Sequence, residues 1–330
     1  MSGGGGGVTP SERDFLEGLA LGLSSVSLAL CVPVIATNIV MKPRRKFPAN
    51  VVTILALSCA AFYVLLLTGY AAKSYIWQCV PSESERECVG CLVQAFMFQF
   101  LIIFMNTWWY GMVLVLYRVV HQKWSVSRIK KSRKLLHLIC FAVSLILAIP
   151  PLIFGKYGRT HFPWCWIPDS PPNSSTNTYT IWQFSVLYIP MGIILAAGLP
   201  LVYLSARKLI MTSCPVSKAQ LQEVATRQLI FAAFMGTAFS IAISTAVLRT
   251  FESVPSFANL LTTLIAVCSI GIFFFCTLGL KKDNIAFWCR NKKREESRGH
   301  TSNASPTLVD SLLGDERRSS ASSAHAVKKD

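Results

Sequence analysis

Seven long apolar stretches, at residues 15–41, 49–72, 91–117, 135–154, 181–206, 228–248 and 257–280, alternate with short polar connections along this chain. Charge and hydrophobicity are segregated rather than interleaved, because after Glu17 no Asp, Glu, Lys or Arg falls inside any stretch. Each is long enough to cross the hydrocarbon core of a bilayer as a helix, which takes about 20 residues. A barrel strand needs only about 10 residues and alternates polar with apolar, which these stretches do not do. Seven buried helices of a soluble core would need more polar surface than the connections supply. The pattern predicts an all-α membrane protein, a seven-transmembrane helix bundle.

Composition changes that picture through the placement of charge. Of 330 residues, 52% are hydrophobic and 15% charged, with 32 Lys plus Arg against 16 Asp plus Glu. Alternate connections carry 26 and 6 of the basic residues, whereas the acidic ones divide 8 and 8, so one face carries +18 and the other −2. The positive-inside rule places the basic face in the cytoplasm and the N-terminus outside. The net +16 is thus a topology and lipid signal, and no nucleic-acid partner is expected. A plasma-membrane, multi-pass location follows.

Residues 1–14 form a short extracellular N-terminus, glycine-rich and without the basic region of a cleaved secretory signal, so the first helix is expected to act as its own anchor. The bundle occupies 15–280. At 281–294, KKDNIAFWCRNKKR sets Ile285, Phe287 and Trp288 among basic residues, a short amphipathic eighth helix on the membrane surface with Cys289 as a palmitoylation candidate. From 295 to 330 the chain is polar and serine-rich and is expected to be disordered. Ser319, Ser320, Ser322 and Ser323 follow Arg317-Arg318, a setting for basophilic kinases.

Eleven cysteines fit the same topology. Cys79, Cys88, Cys91 and Cys165 fall on the outer, oxidising side, and four cysteines permit three pairings. A bridge from Cys91, which begins the third stretch, to Cys165, between the fourth and fifth, would tie that connection over the bundle mouth and leave Cys79 to Cys88. FPWCWIP, at 162–168, then places Trp164 and Trp166 at the membrane–water boundary beside that mouth. Asn173-Ser174-Ser175 is a glycosylation sequon in the same connection.

Seven helices with the N-terminus outside and such a bridge resemble a G-protein-coupled receptor. The rhodopsin-like motifs are missing: LYRVVHQKW has no acidic residue before Arg118, and SIGIFFFCTLGL has no NPxxY pattern. Cys91 and Gln94, Trp108, Leu116-Tyr117 and Trp164-Cys165-Trp166-Ile167 instead resemble the cyclic-AMP-receptor-like group, near the secretin-like and frizzled classes. The pair Trp108-Trp109 is similar to frizzled-like third helices. The resemblance implies signalling to a heterotrimeric G protein by helix rearrangement, with arrestin and a receptor kinase as further partners of the tail. Tyr117, Arg118, Arg207 and Lys208 are placed on the G-protein side. Pro190, Pro200, Gly236 and Gly271 can bend helices or let them approach.

Other seven-helix functions are weighed against this. No lysine stands in 257–280 for a retinal Schiff base. No paired carboxylates or histidine cluster stand at membrane depth for hydrolysis, so no enzyme activity, cofactor or metal is expected. A transporter or channel for a neutral solute is the alternative. The unknown extracellular ligand finds no charge within the bundle, and its outer-mouth contacts are expected from Trp164, Trp166, Lys73, Lys156 and Arg159.

Overall fold

The computed structural model describes residues 9–40, 50–71, 89–124, 126–160, 164–168, 178–211 and 257–276, with single positions between 230 and 247. All lie in one compact unit, Met1–Leu280. Thr9 opens the chain with a reciprocal cap. Its backbone N–H donates to Glu12 Oε2 at 2.8 Å and its Oγ1 accepts from Glu12 N at 3.3 Å, with Pro10 preset for the first helical position. From there α1 runs over Pro10–Val40, α2 over Asn50–Ala71, α3 over Val89–Gln122 and α4 over Val126–Ile153.

Helix α4 ends where Gly155 adopts φ +58°. The Gly155 N–H bonds Leu152 O at 3.2 Å and the Lys156 N–H bonds Pro151 O at 2.8 Å, closing the last turn with the paired bonds of a left-handed cap. Two short antiparallel strands follow, β1 (Gly158–Arg159) and β2 (Cys165–Trp166), with Arg159 opposite Cys165. Next come α5 (Thr178–Gln183), a π-helical turn (Phe184–Tyr188) and α6 (Ile189–Met211), then α7 (Phe257–Cys268) and α8 (Ile270–Phe274). Among the described residues six helical segments are long and apolar enough to cross a membrane, α5 to α6 and α7 to α8 each counting as one. Much of the sixth apolar stretch, 228–248, lies outside the described residues, although its described positions are helical. The expected eighth helix lies outside them altogether.

The helices overrun the apolar stretches. Helix α3 continues to Gln122 and α4 begins at Val126, so Arg118 and Lys131 to Lys134 are helical rather than in a loop. Hydropathy marks the edge of the bilayer, whereas helix ends are set by caps and turns, and a basic helix turn can stand in the headgroup layer.

Helix α3 is the axis of the bundle, packing on α2, α4, α6 and both strands, while α1 packs on α2, α7 and α8. The outer surface is apolar: Leu138 and Ile146 on α4 are 64% and 65% exposed, as lipid-facing side chains should be. Inside, hydroxyl and amide groups turn back onto their own helices. Asn106 Nδ2 donates to Ile102 O at 2.8 Å, Thr107 Oγ1 to Ile103 O at 3.0 Å and Ser144 Oγ to Cys140 O at 2.7 Å.

Helices α3 and α6 approach closely because Gly198 has no side chain. A Cβ there would lie 2.6 Å from Trp109 Cη2, and Trp109 is fully buried. Replacing Gly198 by Val is expected to destabilise the bundle by about 1–3 kcal/mol through overpacking. Gly22→Val, with nothing within 4 Å of its added Cβ, is the control. The check is the midpoint of thermal unfolding in detergent: it falls for Gly198→Val and holds for Gly22→Val.

Candidate functional site

Irregular backbone inside an apolar bundle needs internal hydrogen-bond partners, since no water reaches it. Among the described residues three such breaks occur, and each meets a polar side chain from a neighbouring element.

The first is the strand after β1. Cys165 is bonded to Cys91 in the first turn of α3, with the two Cα atoms 5.4 Å apart. Gln94, one turn further along, accepts from the Cys165 backbone N–H at 3.1 Å and donates to Leu65 O of α2 at 3.0 Å. An added Cβ at Gly69 would collide with the Gln94 amide, so that glycine leaves room for the bridge. Gln183 Nε2 donates to Ile167 O at 2.9 Å and Thr160 Oγ1 to Trp164 O at 2.7 Å. The strand is thereby held from α3, α5, Thr160 and its pairing with β1.

Trp164 and Trp166 are buried, at 2% and 7% exposure, and so they differ from the expected boundary rings. Trp164 stacks on Phe98 with centroids 5.9 Å apart, and Trp166 meets Tyr188 edge-on at 6.2 Å. The reason is Gln99: its Oε1 accepts from Trp166 Nε1 at 2.6 Å, so the indole N–H needs no interfacial water. The pair belongs to the packed interior at the disulfide end.

The second break is the π-helical turn. Gln99 Nε2 donates to Val186 O within it at 2.9 Å. One buried amide therefore links the strand, α3 and the π-helical turn at once.

The third break separates α7 from α8 at Ser269. The Tyr63 hydroxyl of α2 accepts from the Gly271 N–H at 2.7 Å and reaches Cys268 O at 3.2 Å and Val267 O at 3.4 Å. Ser27 Oγ of α1 also donates to Cys268 O at 2.7 Å. In an unbroken helix Gly271 N–H would bond Val267 O; here a phenol is inserted into that rung, a known cause of helix kinks. Gly271 is required, because a Cβ there would lie 2.6 Å from the Tyr63 ring. Of the glycines and prolines read from the sequence as flexing points, Gly271 has this specific contact, while Gly236 has open space around it.

The remaining expected residues are dispersed. Lys156 Nζ lies 5.2 Å above the Tyr179 ring, at the disulfide end. Arg159 is in β1, and its side chain lies outside the described residues, as do Lys73, Cys79, Cys88, Asn173, Cys289, Ser319, Ser320, Ser322 and Ser323. At the opposite, basic end, Tyr117 stacks on His121 at 4.6 Å. Arg118 donates to Gln122 Oε1 at 2.9 Å and lies 4.9 Å from the Trp124 ring centre. Ala206 packs on Leu116, which brings Arg207 and Lys208 of α6 beside the end of α3.

The membrane-region model of the Frizzled/Smoothened family matches residues 8–302. The chain belongs to that family. A relative, "G-protein coupled receptor 1" of Arabidopsis thaliana, is 25% identical over 166 residues, 49% of this chain and 44% of that protein. The chain thus spans less than half the length of that relative. As a Frizzled/Smoothened member it is a receptor-like multi-pass membrane protein. Among the described residues no group of three metal-binding side chains occurs.

Gln99, Tyr63 and Ser27 were not singled out by sequence reasoning. A signal existed for the first, since a glutamine in the middle of a charge-free span has to find an internal partner. Tyr63 and Ser27 look like ordinary membrane-helix residues until α7 is seen to break. Tyr63→Phe is expected to lower the thermal midpoint by the equivalent of about 1 kcal/mol, a typical interhelical hydrogen bond in a membrane. Ser27→Ala costs less, because Tyr63 still serves Cys268 O. Equal losses in the two variants would contradict the latch, as would no loss in Tyr63→Phe.

Proposed function

We propose that this Frizzled/Smoothened member is a plasma-membrane receptor that passes an extracellular signal to a heterotrimeric G protein by rearranging its helices. The observation that carries the proposal is the clamped strand at the disulfide end, tied through Gln94 and Gln99 to α3, whose other end carries Tyr117 and Arg118. A ligand that displaces the strand acts directly on the central helix, and population shift needs only such a differential contact. The relative's name, a G-protein-coupled receptor, supports the same reading.

Within this proposal the N-terminus is outside, 228–248 supplies the seventh span, and 281–294 lies on the inner leaflet as an eighth helix. The cyclic-AMP-receptor-like residues Cys91, Gln94, Trp108 and Trp164 to Ile167 support placing the chain near that group, without implying a cyclic nucleotide as ligand. A neutral or apolar molecule, or a peptide reading Lys73, Lys156 and Arg159, suits a bundle lined without charge. Glycosylation at Asn173, palmitoylation at Cys289, and phosphorylation of Ser319, Ser320, Ser322 and Ser323 with arrestin recruitment complete it. No catalytic step is assigned.

Nucleotide exchange by a panel of purified G proteins, with the receptor in nanodiscs, tests the reading. Exchange above background by at least one G-protein class, reduced on replacing Arg207 and Lys208 by Gln, is expected. Absence of exchange with every class, together with uptake of a neutral solute into proteoliposomes, would replace the receptor with the carrier.

A further inference from the structure

The α3–α4 turn contains an arrangement that G-protein coupling does not require. Helix α3 ends at Gln122 and α4 starts at Val126. Lys123 takes φ +52° to make the reversal, and the Trp124 N–H bonds Arg118 O at 3.2 Å. The reversal brings two guanidinium groups, ten residues apart, onto one indole: Arg118 Cζ lies 4.9 Å and Arg128 Cζ 5.8 Å from the Trp124 ring centre. Like charges converge here, and neither helix can neutralise them from within, for no Asp or Glu occurs in residues 88–168. Arginine stays charged at any physiological pH, and stacking leaves its N–H edge free to donate.

On α4 the sequence continues this surface at helical spacing. Arg128, Lys131, Leu135, Leu138 and Phe141 fall three or four residues apart. Leu135 and Leu138 are 59% and 64% exposed, and the apolar span of α4 begins at Lys131. One helix face thus runs from cations into a lipid-facing apolar stripe, with an amphipathic indole at the boundary.

We propose that this face docks a membrane phospholipid whose headgroup bears phosphomonoesters, gripped by Arg118, Arg128 and Lys131 over Trp124, with its acyl chains along Leu135 and Leu138. Several cations meeting at one point call for a headgroup of several negative charges, which a phosphomonoester supplies at about −1.5 to −2 each. A singly charged headgroup leaves most of the cluster unmatched. The apolar continuation favours a lipid over a soluble inositol phosphate. The site shares Arg118 with the end of α3 assigned to coupling above, but lipid retention is read without a G protein, so the two readings fail separately.

Native mass spectrometry of the full-length protein in detergent provides the test, with dioctanoyl phosphatidylinositol bisphosphate, dioctanoyl phosphatidylserine and inositol trisphosphate as separate probes. The bisphosphate lipid is expected to be retained at least about tenfold more tightly than phosphatidylserine. Arg118→Gln with Arg128→Gln is expected to weaken it about 30-fold, from the loss of two phosphate-facing charges. Exposed Arg128→Gln alone, which carries little folding risk, is expected to weaken it about fivefold. Trp124→Ala is expected to weaken it although no charge is removed, and Arg13→Gln, on α1, to leave it unchanged. Equal retention by the wild type and the double variant would overturn the proposal. So would inositol trisphosphate binding as tightly as the lipid, or loss of G-protein exchange in the double variant with lipid retention intact, which would make this face a protein interface.

Discussion

Lipid offers no water to a backbone amide that has lost its helical partner, so every irregular turn inside this bundle has to be repaired by a side chain. Gln94 holds the Cys165 N–H, Gln99 holds Val186 O and the Trp166 indole, and Tyr63 fills the missing rung at Gly271. The repairs come from neighbouring elements rather than from the broken segments themselves. Each therefore doubles as a tie between helices, and α3, which supplies both glutamines and Cys91, holds the strand and the π-helical turn together.

The disulfide and the amides act differently. A covalent bond fixes which residues stay together and stabilises largely by restricting the unfolded chain. The amides fix the orientation of the strand, and they can exchange partners. The strand thus has one permanent tie, Cys91–Cys165, and several ties that can break and reform without it.

The six membrane-length helices found among the described residues were legible because an uninterrupted apolar stretch has few fates in a chain with so little charge. The Cys91–Cys165 bridge was legible as one of three pairings, through the position of each cysteine at the same face. The burial of Trp164 and Trp166 was not, since an interfacial and a buried tryptophan read alike in sequence; for Trp166 the difference lies in Gln99, 67 residues away. The break after Cys268 was equally hidden: Ser269 and Gly271 are common in membrane helices, and only the approach of Tyr63 from α2 interrupts the ladder there. The convergence of Arg118 and Arg128 on Trp124 depends on the left-handed turn at Lys123, which local sequence does not announce.

The central claim is that side-chain amides, beyond the disulfide, seat the 164–168 strand on α3. Hydrogen–deuterium exchange of that strand in Gln94→Leu receptor, with the Cys91–Cys165 bond intact and the protein in nanodiscs, tests it most directly. The Cys165 N–H loses its acceptor, so its exchange is predicted to rise about tenfold, corresponding to about 1.4 kcal/mol of lost protection. Exchange as slow as in the wild type would contradict the account and leave the disulfide alone as the clamp.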